Sequence, residues 1–495
     1  KIKPTHALLN KTYPELAYLM NSIKLISLAA LATSLMPSWA AQKQNKPNII
    51  FVISDDHSVP FLGCYGNKDI KTPNFDKFAS EGMTFTRTYV TAPQSAPSRS
   101  SFFTGRSTIS TTMSMFSLPL PGNVITYPDI LKEHGYYIGV TARSHHQDGL
   151  KRNKDIQQAI ERNDMATFGR RFDYHRIGGQ PLPELKVFLD KAATEGKGKP
   201  FYVQVSFYDP HRPWDKNAIP EPHDPNTIKL PDNYPDNALI REDFARHYDE
   251  IARMDTQFGL MMEELEKRGL ANNTIVVFVG DNGSALLRGK GTLYETGINV
   301  PLIVRWPGKI KPGSYSNVLV SGEDFAPTLL ELAGYKADPK MTGHSFAHTL
   351  LGKAGTDRTW VFSARGAHAE DLPVTTKDFD LIRAIVTDRY KLIYNPVREL
   401  PYWPVDFSHE AFWLDLVEQN RTGFIPREWK ERYFSERPMF ELYDLKNDPQ
   451  ELHNLAGLKE YAEIEKKLRD TMAEKMLVDR DYVPLPFYSL DKEYK

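Results

Sequence analysis

Two short segments of this chain run apolar without interruption: Asn48-Ile49-Ile50-Phe51-Val52-Ile53-Ser54 and Thr274-Ile275-Val276-Val277-Phe278-Val279. A strand with one wet face alternates with period two, and a helix spaces its apolar residues three or four apart. An unbroken, β-branched run belongs to a strand covered on both faces, the condition of parallel strands in an α/β fold. Both runs then stop at acid, in Asp55-Asp56-His57 and in Gly280-Asp281-Asn282-Gly283. Open α/β sheets bind ligands beyond the carboxyl ends of their strands. Adjacent carboxylates at such a place repel unless a cation neutralises them, although Asp pairs are also ordinary in solvated loops.

A third stretch, Ser95-Ala96-Pro97-Ser98-Arg99 followed by Ser100-Ser101-Phe102-Phe103-Thr104-Gly105-Arg106, reads as the entry and first turns of a short helix closed by glycine. Ser95 then lies at a helix N-terminus. Unpaired N–H groups and the helix dipole favour an anion there, and Arg99 one turn on can pair with it. Ser and Pro also open helices that have no catalytic role.

Around these stretches, Met83 to Val90, Tyr136 to Thr141 and Phe201 to Phe207 read as further strands. Thr72 caps a helix running to Ser80, and 216–243 reads as a long Pro- and Asn-rich surface loop. Ile251, Met254, Phe258, Met261 and Leu265 recur at helical spacing, a core stripe ended by Gly269, and Asp324 to Leu332 reads as another helix. A Gly-rich linker at Gly352 to Thr356 separates a large α/β part, 44–352, from a smaller α+β part, 357–495. In the second part Trp360 to Ser363, Leu381 to Thr387, Tyr390 to Tyr394 and Phe440 to Asp444 read as strands, and Tyr461 to Lys475 as a helix.

Taken together, Asn48 to Asp56, Gly63 to Asn67, Thr72 to Gly82 and Ser95 to Arg106 resemble the type I sulfatases of the alkaline-phosphatase-like superfamily, and the resemblance runs almost to the C-terminus. It is strongest, after Ser95, in Gly289 to Gly297 with Val300 to Gly308. It implies a mixed sheet sandwiched by helices, with a smaller domain of antiparallel sheet plus helix. In that family the first residue of C/S-x-P-S-R is oxidised to formylglycine, whose hydrate is the nucleophile. Position 95 is Ser where Cys is commoner, which implies maturation by the radical, oxygen-independent system; an engineered Cys-to-Ser change would look the same.

The resemblance also assigns roles. Asp55, Asp56, Asp281, Asn282 and one oxygen on residue 95 form an all-oxygen site, suited to Ca²⁺ more than Mg²⁺. Arg99, Lys290 and Arg143, which stands where the family usually has Lys, bind sulfate oxygens; the forked guanidinium can hold one bidentately. His145 lies by the aldehyde hydrate. His211, or Lys290, protonates the leaving oxygen; a loop histidine resting on Trp214 is the bland alternative for His211. Arg365, His368 and the aromatic-rich segment Tyr402 to Trp413 line either the cleft or a packing surface.

The 62 basic and 63 acidic residues nearly cancel, so no overall field points to nucleic acid or an anionic membrane. Cys64 is the single cysteine, which excludes an intrachain disulfide. Residues 1–40 read as an extension, taken as an artefact of the reading frame up to a start at Met20, and then a signal peptide. Lys24, the apolar run Leu25 to Leu35 and Ser38-Trp39-Ala40 form it, with cleavage after Ala40. The run is too short to span a bilayer, so the expected product is soluble and periplasmic or secreted. The leading reading is an exported sulfatase acting on a sulfated carbohydrate, in the branch with heparan N-sulfatase and bacterial polysaccharide sulfatases. The alternatives are a phosphoester or phosphonate hydrolase of the same superfamily and a glycan-binding pseudoenzyme with unmodified Ser95.

Overall fold

A computed structural model describes residues 46–116, 118–149, 154–368, 380–402 and 404–486, leaving out the side chains of Ser144, His145 and Ile156. The signal-peptide expectation falls on residues outside this range. The first apolar run is β1 (Asn48–Ser54), followed by β2 (Met83–Phe85), β3 (Thr88–Tyr89), β4 (Tyr137–Thr141), β5 (Tyr174–Arg176), β6 (Phe201–Ser206) and β7 (Thr274–Gly280), the second run. Then come β8 (Leu302–Arg305), β9 (Ser314–Ser316) and β10 (Val320–Ser321). Eight of these form one mixed sheet in the order β5-β4-β6-β1-β7-β8-β2-β9, while β3 pairs with β10. Strand β1 is central and parallel to both β6 and β7.

Both faces of β1 are covered. Ile49, Phe51 and Ile53 pack with Phe102, Tyr127, Leu131 and Phe325, from the helices Ser95–Thr104, Tyr127–Glu133 and Phe325–Leu332. Ile50 and Val52 pack with Phe75, Phe188, Ile251 and Phe258, from Pro73–Glu81, Pro181–Thr194 and Ala238–Lys267. Burying an apolar side chain of this size is worth about 1.5–3 kcal/mol, so the absence of a polar face on β1 follows from its place between two helix layers.

A separate antiparallel sheet runs β11 (Trp360–Arg365), β12 (Ile382–Thr387), β13 (Tyr390–Tyr394), β14 (Phe440–Asp444) in that order. Leu468, Met472 and Met476 of the helix Ala462–Val478 cover one face, over Ile385, Leu392 and Leu442. Ala384, Val386 and Ile393 join the core of the large sheet.

Three local expectations are corrected. The strand expected over Met83 to Val90 breaks at Thr86-Arg87, where the Arg87 guanidinium turns aside to donate to the Thr387 carbonyl; β2 and β3 then take different partners. Thr72 does not cap its helix. Its Oγ1 accepts from Gly63 N at 2.8 Å, and Asp255 of the long helix accepts from Asn74 N and Phe75 N at 3.2 and 2.7 Å instead. The loop expected over 216–243 ends at Asn237, whose side chain accepts from Ile240 N at 3.0 Å and starts a 30-residue helix at Ala238.

Candidate active site

Parallel register brings the two acidic strand ends together. Ser54 pairs with Gly280, and Asp281 N donates to Ser54 O at 3.0 Å, so Asp55-Asp56 and Asp281-Asn282 leave the sheet side by side. Gly283 permits the turn that follows, since a Cβ there would lie 1.8 Å from the Thr296 carbonyl oxygen. The helix Ser95–Thr104 points its N-terminus at this pair of ends. Gln94 precedes it in extended conformation with no side-chain cap.

Ser95 Oγ lies 2.9 Å from Asn282 Oδ1 and 3.3 Å from Asp55 Oδ1, one hydroxyl hydrogen between two acceptors. The Asn282 amide is oriented by its own donor, with Nδ2 2.8 Å from Asp56 Oδ1 and 2.9 Å from the Gly283 carbonyl. Asp281 Oδ1 accepts from Asp56 N and Asn282 N at 2.9 and 2.8 Å. Its Oδ2 accepts from Arg99 Nε at 2.9 Å. Arg99 also spans to Asp55 Oδ2 at 3.3 Å and donates to Ser206 Oγ at 3.0 Å.

Other cations close the ring. Arg143, just past β4, reaches Asp55 Oδ2 through Nε at 2.9 Å and lays its guanidinium 4.5 Å over the Tyr208 ring. Ala142 and Arg143 both have positive φ, 48° and 26°, a conformation that costs a non-glycine residue about 1–2 kcal/mol. Lys290 Nζ lies 2.8 Å from Asp56 Oδ1 and 2.5 Å from Asp406 Oδ2. His211 Nε2 is 3.6 Å from Asp406 Oδ2 and 3.9 Å from Asp56 Oδ2. Its Nδ1 contacts the Arg212 carbonyl. A carbonyl only accepts, so Nδ1 carries the hydrogen and Nε2 is the nitrogen turned to the site. Trp214 is covered by Arg212, 3.5 Å over its ring, and not by His211.

The charges set one another's protonation. Burial would raise the Asp55 carboxyl, yet Arg143 and Arg99 outweigh it and hold it at about 2. Burial pushes Asp281 up to about 6, helped by the negative charge of Asp55 and opposed by Arg99. Burial likewise raises Asp56, against Lys290. Lys290 should lose its proton on burial, but Asp406 and Asp56 raise it well above its usual value, so it stays cationic.

Asp55, Asp56, Asp281 and Asn282 are all fully buried, with Ser95 1 % exposed. Three carboxylates and an amide oxygen with Ser95 Oγ make an oxygen-only donor set. The single hydrogen among Ser95 Oγ, Asn282 Oδ1 and Asp55 Oδ1 leaves lone pairs facing one another, an arrangement a hard divalent cation fits. Asp55, Asp56 and His211 also present ligand atoms within 4.8 Å of one another, a grouping in which Asp281 takes no part.

Of the residues singled out in the sequence, Ser95, Arg99, Arg143, His211, Lys290 and the four strand-end residues converge. The backbone of His145 lies in the 3-10 turn Ser144–Gln147, while its side chain falls outside the described atoms. Arg365 is buried, pairs with Asp380 at 3.2 Å and donates to the Gly291 carbonyl, beside Lys290. His368 tilts over Phe116 with ring centroids 5.1 Å apart and stays neutral, lowered to about 3 mainly by burial. Asp406 was not singled out. It lies inside the aromatic segment Tyr402 to Trp413, and its φ of 67° marks a backbone shape that no local pattern announces.

Comparison with known proteins gives the family. A family model described as Sulfatase matches residues 47–335, and one described as N-sulphoglucosamine sulphohydrolase, C-terminal, matches 286–404 and 417–477. An ulvan-active sulfatase of Formosa agariphila is 30 % identical over 442 residues, covering 88 % of this chain and 81 % of that protein. Human N-sulphoglucosamine sulphohydrolase is 26 % identical, with 86 % and 89 % covered. A protein solved with its substrate D-glucosamine-2-N,6-O-disulfate superposes with a TM-score of 0.65 at 21 % identity, over 89 % of this chain and 99 % of that one. The fold is therefore that of the alkaline-phosphatase-like sulfatases, and the chain belongs to the sulfatase family, enzymes that hydrolyse sulfuric esters.

Proposed function

We propose that this enzyme is exported and removes sulfate, as an O- or N-sulfate, from a sulfated polysaccharide or its oligosaccharides, with residue 95 matured from Ser to formylglycine. The observation that carries the reading is the placement of Ser95 Oγ, at a helix N-terminus and within hydrogen-bond distance of Asn282 and Asp55. Relatives named for ulvan and for N-sulphoglucosamine give the substrate class. The signal-like segment Met20 to Ala40 supports export.

Asp55, Asp56, Asp281 and Asn282, with residue 95, would hold Ca²⁺. When bound, the ion supplies charge that draws electrons from sulfate oxygens and acidifies the hydroxyl beside it. A hydrated formylglycine offers one hydroxyl to sulfur and a second whose deprotonation releases sulfate; a plain serine would be trapped as its ester. Arg99, committed to Asp281, Asp55 and Ser206, sets the spacing of the carboxylates. Arg143 and Lys290 exchange their carboxylate partners for sulfate oxygens, and held donors of this kind stabilise charge more than water does. His211, when it carries a hydrogen on both ring nitrogens, gives the one on Nε2 to the leaving oxygen and keeps the one on Nδ1, and His145 takes the proton of the second hydroxyl.

The test is sulfate release from defined sulfated oligosaccharides by enzyme produced with a radical maturation system, compared with phosphate and phosphonate monoesters. Sulfate turnover in large excess is expected. Preferential turnover of the phosphorus esters would assign the chain to the hydrolase alternative, and binding without turnover by unmodified protein to the pseudoenzyme.

A further inference from the structure

Beside the loop that carries His211 lies a cavity of about 340 Å³, within the range of small-molecule sites. Pro181, Phe207 and Tyr208 give it an apolar side. Its position is fixed by the active site: Tyr208 O accepts from His211 N at 2.9 Å, and Asp209 O accepts from Asp55 N at 3.1 Å. Tyr208, 37 % exposed, is the wall the two share, since the Arg143 guanidinium that lies over its ring also reaches Asp55. Whatever occupies the cavity thus lies against the same Tyr208 ring that Arg143 covers.

The polar side is of two kinds. Gln180 and Gln257 line the cavity, and neither their amides nor the Tyr208 hydroxyl makes a hydrogen bond to another described residue, so all three are free for a ligand. Arg253 is not free. Its Nε and Nη2 donate to Asp209 at 3.0 and 2.7 Å, and it is also paired with Asp215 and Glu250. One guanidinium shared by three carboxyl groups, of which Asp209 and Asp215 alone exceed its charge, has no capacity left for an anion and repels one. An aromatic wall, unclaimed amides and a hydroxyl, with no cation to spare, match an uncharged ring bearing hydroxyls on its edge and C–H groups on its face.

We propose that this cavity is a second sugar subsite, taking a neutral saccharide ring adjacent to the sulfated one and rejecting a uronate or a second sulfated ring. It rests on the sulfated-saccharide reading above and narrows it: the favoured substrate is at least a disaccharide, with a neutral neighbour to the sulfated residue.

Two measurements test it separately. In the first, matured enzyme is given D-glucosamine 6-sulfate alone, and the same ring extended by glucose, galactose or rhamnose or by glucuronate. At least one neutral extension should raise kcat/KM about tenfold, mainly through KM, and glucuronate should not. Gln257→Ala should remove the gain while leaving the monosaccharide rate unchanged, and Asp215→Lys should admit glucuronate. In the second, saturation-transfer NMR on unmatured protein uses the methyl glycosides of glucose, galactose and rhamnose against glucuronate, and reads the cavity whether or not sulfate is released. Transfer to a neutral glycoside, lost in Gln180→Ala with Gln257→Ala, is expected. Glucuronate binding as well as the neutral rings, transfer that survives both substitutions, or no neutral ring binding overturns the subsite. Absence of sulfate release from every probe, with NMR binding intact, overturns the sulfatase reading instead.

Discussion

Arg99 and Asp281 meet through two contacts of 2.9 Å to a single carboxylate oxygen, with the guanidinium 1 % exposed and the carboxylate fully buried. Removing one partner of such a pair leaves the other charged and unsolvated, which costs about 3–5 kcal/mol. Arg99→Ala is therefore expected to lower unfolding free energy by about that amount and to abolish sulfate release. Arg99→Lys keeps the charge but cannot bridge Asp281, Asp55 and Ser206 together. It should recover most of the stability and little of the activity. Denaturant unfolding beside steady-state kinetics checks both; a stable, active Arg99→Ala enzyme would refute the bracing role.

Asp406 touches Lys290 and faces His211 from a segment more than a hundred residues downstream. Burial would raise its carboxyl, but Lys290 and His211 hold it far below the usual range, so it remains an anion. Asp406→Asn should lower kcat/KM by about tenfold to a hundredfold through misplacement of the lysine, and should also lower Tm at neutral pH, because a carboxyl held below its unfolded value stabilises the fold there. Asp406→Glu should restore part of it. Equal rates in wild type and Asp406→Asn would show that Asp56 alone positions Lys290.

Arg99, Arg143 and Lys290 already lie against the buried carboxylates, so the chain does not depend on a metal ion to offset their repulsion. Chelation is expected to stop turnover while leaving circular dichroism intact, with Ca²⁺ restoring activity. Bound ion should raise stability by about 2.7 kcal/mol at a concentration a hundredfold above Kd. Chelator-resistant turnover would contradict this.

Glu250 shares Arg253 with Asp209, and burial together with the Asp209 charge pushes its carboxyl up to about 8. A carboxyl whose folded value lies above its unfolded one adds stability at low pH that is lost as pH rises through the folded value. Wild type should thus lose stability relative to Glu250→Gln between about pH 4.5 and 8. Melting curves across that range check the sign; wild type that holds or gains stability relative to Glu250→Gln as pH rises would contradict it.

Much of this centre is legible in the chain because two of the three segments proposed to hold the ion, Asp55-Asp56 and Asp281-Asn282, end strands with no polar face. Register then does the rest: once Ser54 pairs with Gly280, Asp55 and Asp281 have to meet. Asp255 as a helix cap and the break at Arg87 were not legible, because each depends on a partner far along the chain replacing a local one. Asp406 is harder still. Nothing around it is periodic, and its contact with Lys290 exists only because the segment after β13 returns to the large sheet.

The proposed reaction needs residue 95 as formylglycine within this ring of charges. The mass of the peptide spanning Ser95, taken from enzyme whose sulfate release has been measured, tests it most directly. Formylglycine is two hydrogens lighter than serine, and the fraction so modified should equal the fraction of active enzyme. Full sulfate release by protein whose residue 95 is unmodified serine would contradict the account.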